Sequence, residues 1–498
     1  MKGDVSMREQ IDLLFKEFEK LTAGKYQIYP ESVHHFEGSN LFMCKDKDKK
    51  LLVIIGKKGI CEKFTASKIG EIENLDVVLC QLSHENCEVI KELLGLRPSR
   101  CTKKTSFGFG DRLGIATPAH ASASKDHDIF PIFAQQSVRE LSRTQRTFRD
   151  VLDSAVWGVF ESGYRENFGA DADHVKHTED LLIAAHEGYT MYTLDPSDYV
   201  KDVSKMNQKE ITEFYQSHPE RRELEARYLG KTFSLSKEKL VMSEEDFVKI
   251  FVTYIDVLEH VVKCYDALRG VRRDFDLEVS IDETSTPTTP LAHIFIVQEL
   301  RRRGVDFQTL APRFVGQWQK GIDYIGDLSI LEKEISIHSE IAKILSGYKL
   351  SLHSGSDKFS VYPIFARYTE GNLHVKTAGT SYLQAMRAIA VTDASLYRQI
   401  HKYALTRFEA DKASYHVTTD LSKVPDVDKI SDTDLSKLFQ MPDARQLIHI
   451  TYGSVLTAKE SGHYLFRDRI FKVLFENERL HYEFVKDHME KHLDLLKI

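Results

Sequence analysis

Two histidines each stand at the end of a candidate strand, His174 in FGADADHVK and His353 in YKLSLHSGSDKF. Neutral imidazole is a common ligand for zinc and similar ions, so two such rings converging on one point could hold a cation. Asp173 stands beside His174, where a carboxylate can act as general base while a bound cation polarises a carbonyl. In LEVSIDETSTP, period-two alternation puts Glu278, Ser280 and Asp282 on one face, with Asp282 nearest the end of the run. Asp282 is therefore the better acid–base candidate, and Glu278 lies deeper as a hydrogen-bonded residue. Glu283 is expected to point the other way, into a helix entry capped by Thr284, Ser285 or Thr286.

Other apolar runs also end in polar groups. Asp111 and Arg112 follow SFGFG, Gln135 and Gln136 follow FPIFA, Asp195 ends YTLD, and Lys376 ends LHVK. Arg112, Gln135 and Lys376 are candidate substrate ligands. Ser354-Gly355-Ser356 and Gly379-Thr380-Ser381 each precede a helical stretch, where exposed backbone N–H groups favour an anion. Ser354 is a candidate there, with Lys358 and Arg387 near enough to assist. SFGFGDRLG does not complete a dinucleotide fingerprint, because Leu113 stands where the third glycine belongs. Neither a GxxxxGK[ST] phosphate loop nor a GxSxG nucleophile elbow occurs.

Such residues need a scaffold that gathers them. Candidate strands fall near residues 106–109, 129–133, 169–172, 190–194, 277–281, 307–310, 349–352 and 373–375. Helical periodicity lies between most of them, for example over 147–160, 178–187, 291–303 and 383–390. The third strand is small and polar and is inferred from the rhythm. Eight alternations predict an α/β protein built on a (β/α)8 TIM-type barrel, whose active site forms at the C-terminal ends of the strands. That barrel is expected over 101–420, with a charged insertion at 196–239 that is either a lid or decoration. A small N-terminal α/β unit is expected over 1–100, with a helix over 6–22, strands at 51–55 and 77–82 and a helix near 87–94. A helical extension over 421–498 is expected to pack on the barrel, with helices at 444–456 and 466–495.

The 498 residues carry 68 Lys+Arg against 75 Asp+Glu, a formal charge of −7, which disfavours a dedicated nucleic-acid binder. The charged start MKGDVSMREQ lacks the apolar core of a secretory signal, and no run reaches the roughly 18 apolar residues of a membrane span. A cytoplasmic protein with no membrane partner is expected. Six cysteines without a CxxC pair predict idle thiols, not a disulfide framework or a zinc ribbon.

Five motifs in order, GDRLG, ADADHVK, SIDETSTPTTPLAH, LAPRFVGQWQKGIDYIGD and LHSGSDKFSVYP, resemble the tagaturonate epimerase family from about residue 100 onward. The resemblance implies an isomerase that interconverts D-tagaturonate and D-fructuronate, a keto-hexuronate pair, with a divalent cation as cofactor. It implies Asp173 as proton acceptor, Asp282 as proton donor, and His174 and His353 as metal ligands. A third ligand is implied in the loop after the sixth strand, with Gln319 the first candidate and Gln317 the second. A neutral amide is a poor ligand beside a carboxylate, and the choice among Zn, Mn and Ni stays open. The two keto acids differ at the carbinol carbon β to the ketone, which deprotonation α to the carbonyl cannot invert. Retro-aldol cleavage and re-addition can, with transient oxidation as the rival route. A metal-dependent aldolase or ketohexose epimerase on the same barrel, and a non-catalytic sugar-acid-binding protein, are the competing functions. The oligomeric state is left open.

Overall fold

The computed structural model describes residues 2–497. They form two units: one holds the chain up to Arg97 with Gly114–Ser122 and Leu152–Glu166, and the other holds the rest.

In the first unit the helix Lys2–Leu21 is followed by strands β1 (Gln27–Phe36), β2 (Ser39–Lys45), β3 (Lys50–Gly56), β4 (Ala66–Ile72) and β5 (Leu75–Cys80). They make one antiparallel sheet in the order β1-β2-β3-β5-β4. Phe18 of the helix packs with Phe42, Val53 and Val77 in its apolar core. The sequence reading finds β3 and β5 but not β1, β2 or β4. β4 is an edge strand whose residues are mostly exposed, and β1 carries Pro30 and a register shift between Tyr29 and His34. Edge strands of this kind show neither an apolar run nor clean alternation. All six cysteines are free thiols, five of them buried.

The second unit contains β6 (Thr105–Phe109), β7 (Phe130–Ser137), β8 (Gly169–Val175), β9 (Met191–Leu194), the short hairpin β10–β11 (Thr232–Ser234 and Lys239–Val241), β12 (Asp276–Ile281), β13 (Thr309–Pro312), β14 (Lys349–Leu352) and β15 (Leu373–Thr377). The eight strands other than the hairpin close into a parallel barrel, as the alternation predicts. β8 lacks an apolar signature because its inward positions carry Asp171 and Asp173, while Ala170 and Ala172 alternate with them. Gly108 of β6 leaves room for a neighbour: a Cβ there would stand 2.3 Å from Gln135 Oε1. The glycines of SFGFG thus serve close packing in the barrel.

The helix Pro290–Arg302 matches the expected 291–303 to within a residue, but its N-cap is Thr289 and not Thr284, Ser285 or Thr286; the Thr289 hydroxyl accepts from Ala292 N at 3.2 Å. The insertion forms helices Gln208–Ser217 and Arg221–Tyr228 and the β10–β11 hairpin. It grips the outer face of Pro290–Arg302, with Tyr228 Oη donating to Glu299 at 2.8 Å and Glu220 pairing with Arg303 at 2.6 Å. Its two helices and hairpin therefore clad the barrel flank. Beyond the helix Ala394–Lys412, the expected helix over 444–456 is two, Pro442–Ile450 and Tyr452–Thr457. That over 466–495 is also two, Arg467–Glu476 and Glu478–Asp494, the latter packed on the helix Thr380–Thr392. No described helix is long and apolar enough to cross a membrane.

Burial pushes His338 and His401 each down to about 4. Unfolded, each would bind a proton near pH 6.5. Between those values the unfolded chain holds more protons, so stability falls as pH drops below 6.5. At pH 5 the loss is expected to be up to about 2 kcal/mol per histidine. Urea unfolding at pH 7.5 and pH 5 measures this, and His401→Gln should flatten the slope. An unchanged slope would mean that His401 titrates normally in the folded chain.

Candidate active site at the C-terminal rim of the barrel

Regular alternation would send Asp173 and His174 to opposite faces of β8. The strand avoids this with a bulge: Ala172 pairs with Tyr192 and Val175 with Leu194, so two residues oppose Thr193 alone. His174 takes a left-handed backbone, φ +50°, which is costly for a residue with a Cβ. The bulge holds both residues at the rim, with His174 Nδ1 2.7 Å from Asp173 Oδ1. His353 directly follows β14 and precedes Ser354, also left-handed at φ +51°. Its Nε2 lies 2.6 Å from Glu278 Oε1 and its Nδ1 3.1 Å from Asp282 Oδ1. The two imidazole rings stand 4.7 Å apart. One ligand atom each from His174, Asp282 and His353 falls within 4.8 Å of the others.

Beneath this trio, Lys376 Nζ reaches Asp171 at 2.6 Å, Asp173 at 2.8 Å and Glu278 at 2.9 Å, and it also donates to Thr193. Burial alone would neutralise the lysine, but the three carboxylates hold its pKa well above the usual value. Burial likewise opposes ionisation of Asp173 and Glu278. His174 and Lys376 keep Asp173 well below the normal range, and Lys376 and His353 do the same for Glu278. Asp171, crowded by Asp173 and Glu278, is pushed up by burial despite Lys376. Burial lowers the affinity of His353 for a proton, but Asp282 and Glu278 outweigh it and raise its pKa to about 10.

This donor set fits a divalent transition cation. Each ring has a second carboxylate behind it, Asp173 for His174 and Glu278 for His353, the arrangement that fixes tautomer and orientation in metal-ligating histidines.

A cleft of about 410 Å³ opens beside the trio, lined by Asp282, His353, Arg313, Lys320, Ser354 and His416 among others. A second space of about 370 Å³ lies on the His174 side, bordered by Lys176 and Asp195. Arg139 and Glu283 line both. No residue of the insertion lines either.

The model of the tagaturonate epimerase family matches residues 29–496. This chain belongs to that family. It is 49% identical over 486 residues to the tagaturonate/fructuronate epimerase of Thermotoga maritima, covering 97% of this chain and 100% of the relative. The crystal structure of a fructuronate-tagaturonate epimerase from Cohnella laeviribosi superposes with a TM-score of 0.92 at 41% identity, covering 97% of this chain and 98% of that one. A glycerol complex of the same enzyme gives 0.91 at 41% identity, covering 98% and 99% of the two chains.

Within this epimerase-family barrel the residues picked from sequence sort into three groups. Asp173, His174, Asp282, His353 and Lys376 do converge, although Lys376 is spent on buried carboxylates and does not face the cleft. Gln135 joins them as support, its Nε2 donating to Asp173 at 3.2 Å. Ser354 lines the cleft and accepts from Lys320 Nζ at 2.8 Å. The others need correction. Gln319 does not join the trio: its amide is saturated, donating to Gln317 at 2.7 Å and accepting from Thr418 N at 2.9 Å and Gln446 at 3.1 Å. The third member of the trio is Asp282. Arg112 is buried on Glu140 at 2.8 Å and over the Tyr452 ring at 3.6 Å. Lys358 is buried on the carbonyls of Gln319, Ile322 and Ser356. Neither of the two meets the cleft. Arg387 lies over Phe484 at 4.0 Å.

Sequence reasoning missed Arg139, Arg313, Lys320 and His416, and it turned Glu283 away from the site. For Arg313 a signal existed. β13 runs to Pro312, two residues past the expected end at 310, so the first rim residue is Arg313.

Proposed function

We propose that this chain interconverts D-tagaturonate and D-fructuronate by cleaving and re-forming the bond between the carbons α and β to the ketone. His174, Asp282 and His353 would hold a divalent cation. The observation that carries this reading is the convergence of these three residues, from three separate barrel strands or strand ends, beside one cleft. When bound, the cation supplies Lewis-acid polarisation of the ketone oxygen.

The chain's own groups do the rest. Asp173 and Glu278 orient the two rings. Asp282 and Glu283 are the carboxylates that face the cleft, and Glu283 borders both spaces. Its carboxylate takes the proton of the β-hydroxyl. The carbon–oxygen bond becomes an aldehyde as the α–β bond breaks, and the electron pair passes to the ketone oxygen. The aldehyde turns to present its other face, the enolate carbon attacks it, and the proton returns from Glu283 to the new alkoxide. Trp318, Tyr415 and His416 wall the cleft, which keeps both fragments caged.

The test is conversion of D-tagaturonate followed by NMR, after chelation and with Mn²⁺, Zn²⁺ or Ni²⁺ restored one at a time. Cation-restored conversion is expected. Substrate deuterated at the inverting carbon should keep its label and show no primary isotope effect, because that C–H bond never breaks. A primary effect would point to transient oxidation instead. Glu283→Gln should lower kcat while keeping cation content.

A further inference from the structure

The backbone of Arg313 is tied twice to one buried residue. Its N–H donates to Thr288 Oγ1 at 3.0 Å, and its carbonyl accepts from Thr288 N at 2.9 Å. Thr288 is fully buried, so the root of the arginine side chain is fixed at the end of β13. The half-buried side chain lines the same cleft as Asp282 and His353. Among the described residues the guanidinium has no hydrogen-bond, ion-pair or ring partner.

The neighbouring cations are all engaged. Lys376 is held by three carboxylates, Lys320 donates to Ser354, and Arg139 donates to Ser414 O at 3.3 Å while lying over the Tyr415 ring at 5.0 Å. A half-buried guanidinium has lost part of its hydration without gaining an acceptor, so it is preorganised for one. Its planar fork matches a carboxylate with two parallel hydrogen bonds.

Resting on the keto-hexuronate reading above, we propose that Arg313 binds the terminal carboxylate of the substrate. It thereby selects a keto-hexuronate over the neutral ketohexose of the same configuration. The two sugars differ at one end only, where the ketohexose carries a hydroxymethyl group. Against that group Arg313 would stay unpaired, so the same residue favours the acid and disfavours the neutral sugar.

The experiment compares wild type, Arg313→Gln and Arg313→Lys with D-tagaturonate, with D-tagatose as the neutral substrate or competitive inhibitor. Arg313→Gln is expected to lose on the order of 10²-fold or more in kcat/KM for the acid. Its affinity for D-tagatose and its cation content should stay at wild-type values. Arg313→Lys should fall between, because it keeps the charge but not the fork. Added guanidinium ion should restore part of the Arg313→Gln activity on the acid. Unchanged kcat/KM for the acid, or equal losses on both sugars without guanidinium rescue, would overturn the anchor while leaving the epimerase reading intact. A wild-type chain that neither binds nor converts D-tagaturonate would instead refute the functional reading, and the anchor with it.

Discussion

Lys376→Met is expected to destabilise the folded chain by about 3–5 kcal/mol, the usual consequence of breaking a buried ion cluster by removing one partner. The lysine is almost fully enclosed and, among the described residues, is the one ammonium within 3 Å of Asp171, Asp173 and Glu278. Methionine fills similar volume but leaves three carboxylates facing each other in the barrel interior. Those groups cannot all stay ionised without a cation, so they take up protons and lose the geometry that aims His174 and His353. Urea unfolding measures the cost. A variant whose unfolding midpoint matched wild type would show that solvent or protonation already relieves the cluster. An inverse pH response is part of the expectation: protonating the carboxylates relieves the variant, so its deficit should shrink as pH falls.

His353→Ala should lower turnover by about 10³-fold or more, since Lewis-acid stabilisation is worth several kcal/mol. It should also lose cation content. Removing the ring deletes one donor and unpairs both Glu278 and Asp282. Asp282→Asn discriminates between the roles open to that residue. Loss of the cation marks Asp282 as a ligand, whereas retained cation with lost turnover would return it to the proton-transfer role that the family resemblance implies. Cation uptake should weaken as pH falls, because ligand imidazoles bind metal only when neutral. Plasma emission spectroscopy on the purified variants reads cation content directly.

The barrel was legible because its strands are short apolar or alternating runs and its helices carry a 3.6-residue period. Both signals are local and survive in a single sequence. Even β8, with no apolar run, could be placed by its neighbours' rhythm. The N-terminal sheet was legible only in β3 and β5, whose apolar runs are rich in β-branched residues; β2, SNLFMCK, is as buried but carries none. β1 and β4 are edge strands, so solvent lets their composition drift from any period.

The site divides in the same way. Residue types at strand ends picked out His174, His353, Asp173 and Asp282, because a parallel barrel brings every such end to one rim. Whether a rim residue faces the cleft or is consumed by a partner depends on groups far away in sequence. Arg112 is taken by Glu140, Lys358 by the carbonyls of Gln319 and Ile322, and Gln319 by Thr418 and Gln446. None of those pairings has a local signature. The bulge at His174 and the left-handed Ser354 are equally invisible, since backbone strain is imposed by the surrounding fold.

By itself, then, the sequence determined the barrel, its rim and the residue types gathered there, because those follow from periodicity and from the geometry of parallel strands. Only the tertiary structure decided which cations are spent on internal partners and which one among the described cleft residues, Arg313, is left without a side-chain partner. The reason is physical: a buried charge takes the nearest available counter-charge, and nearness across a barrel is not written in chain order.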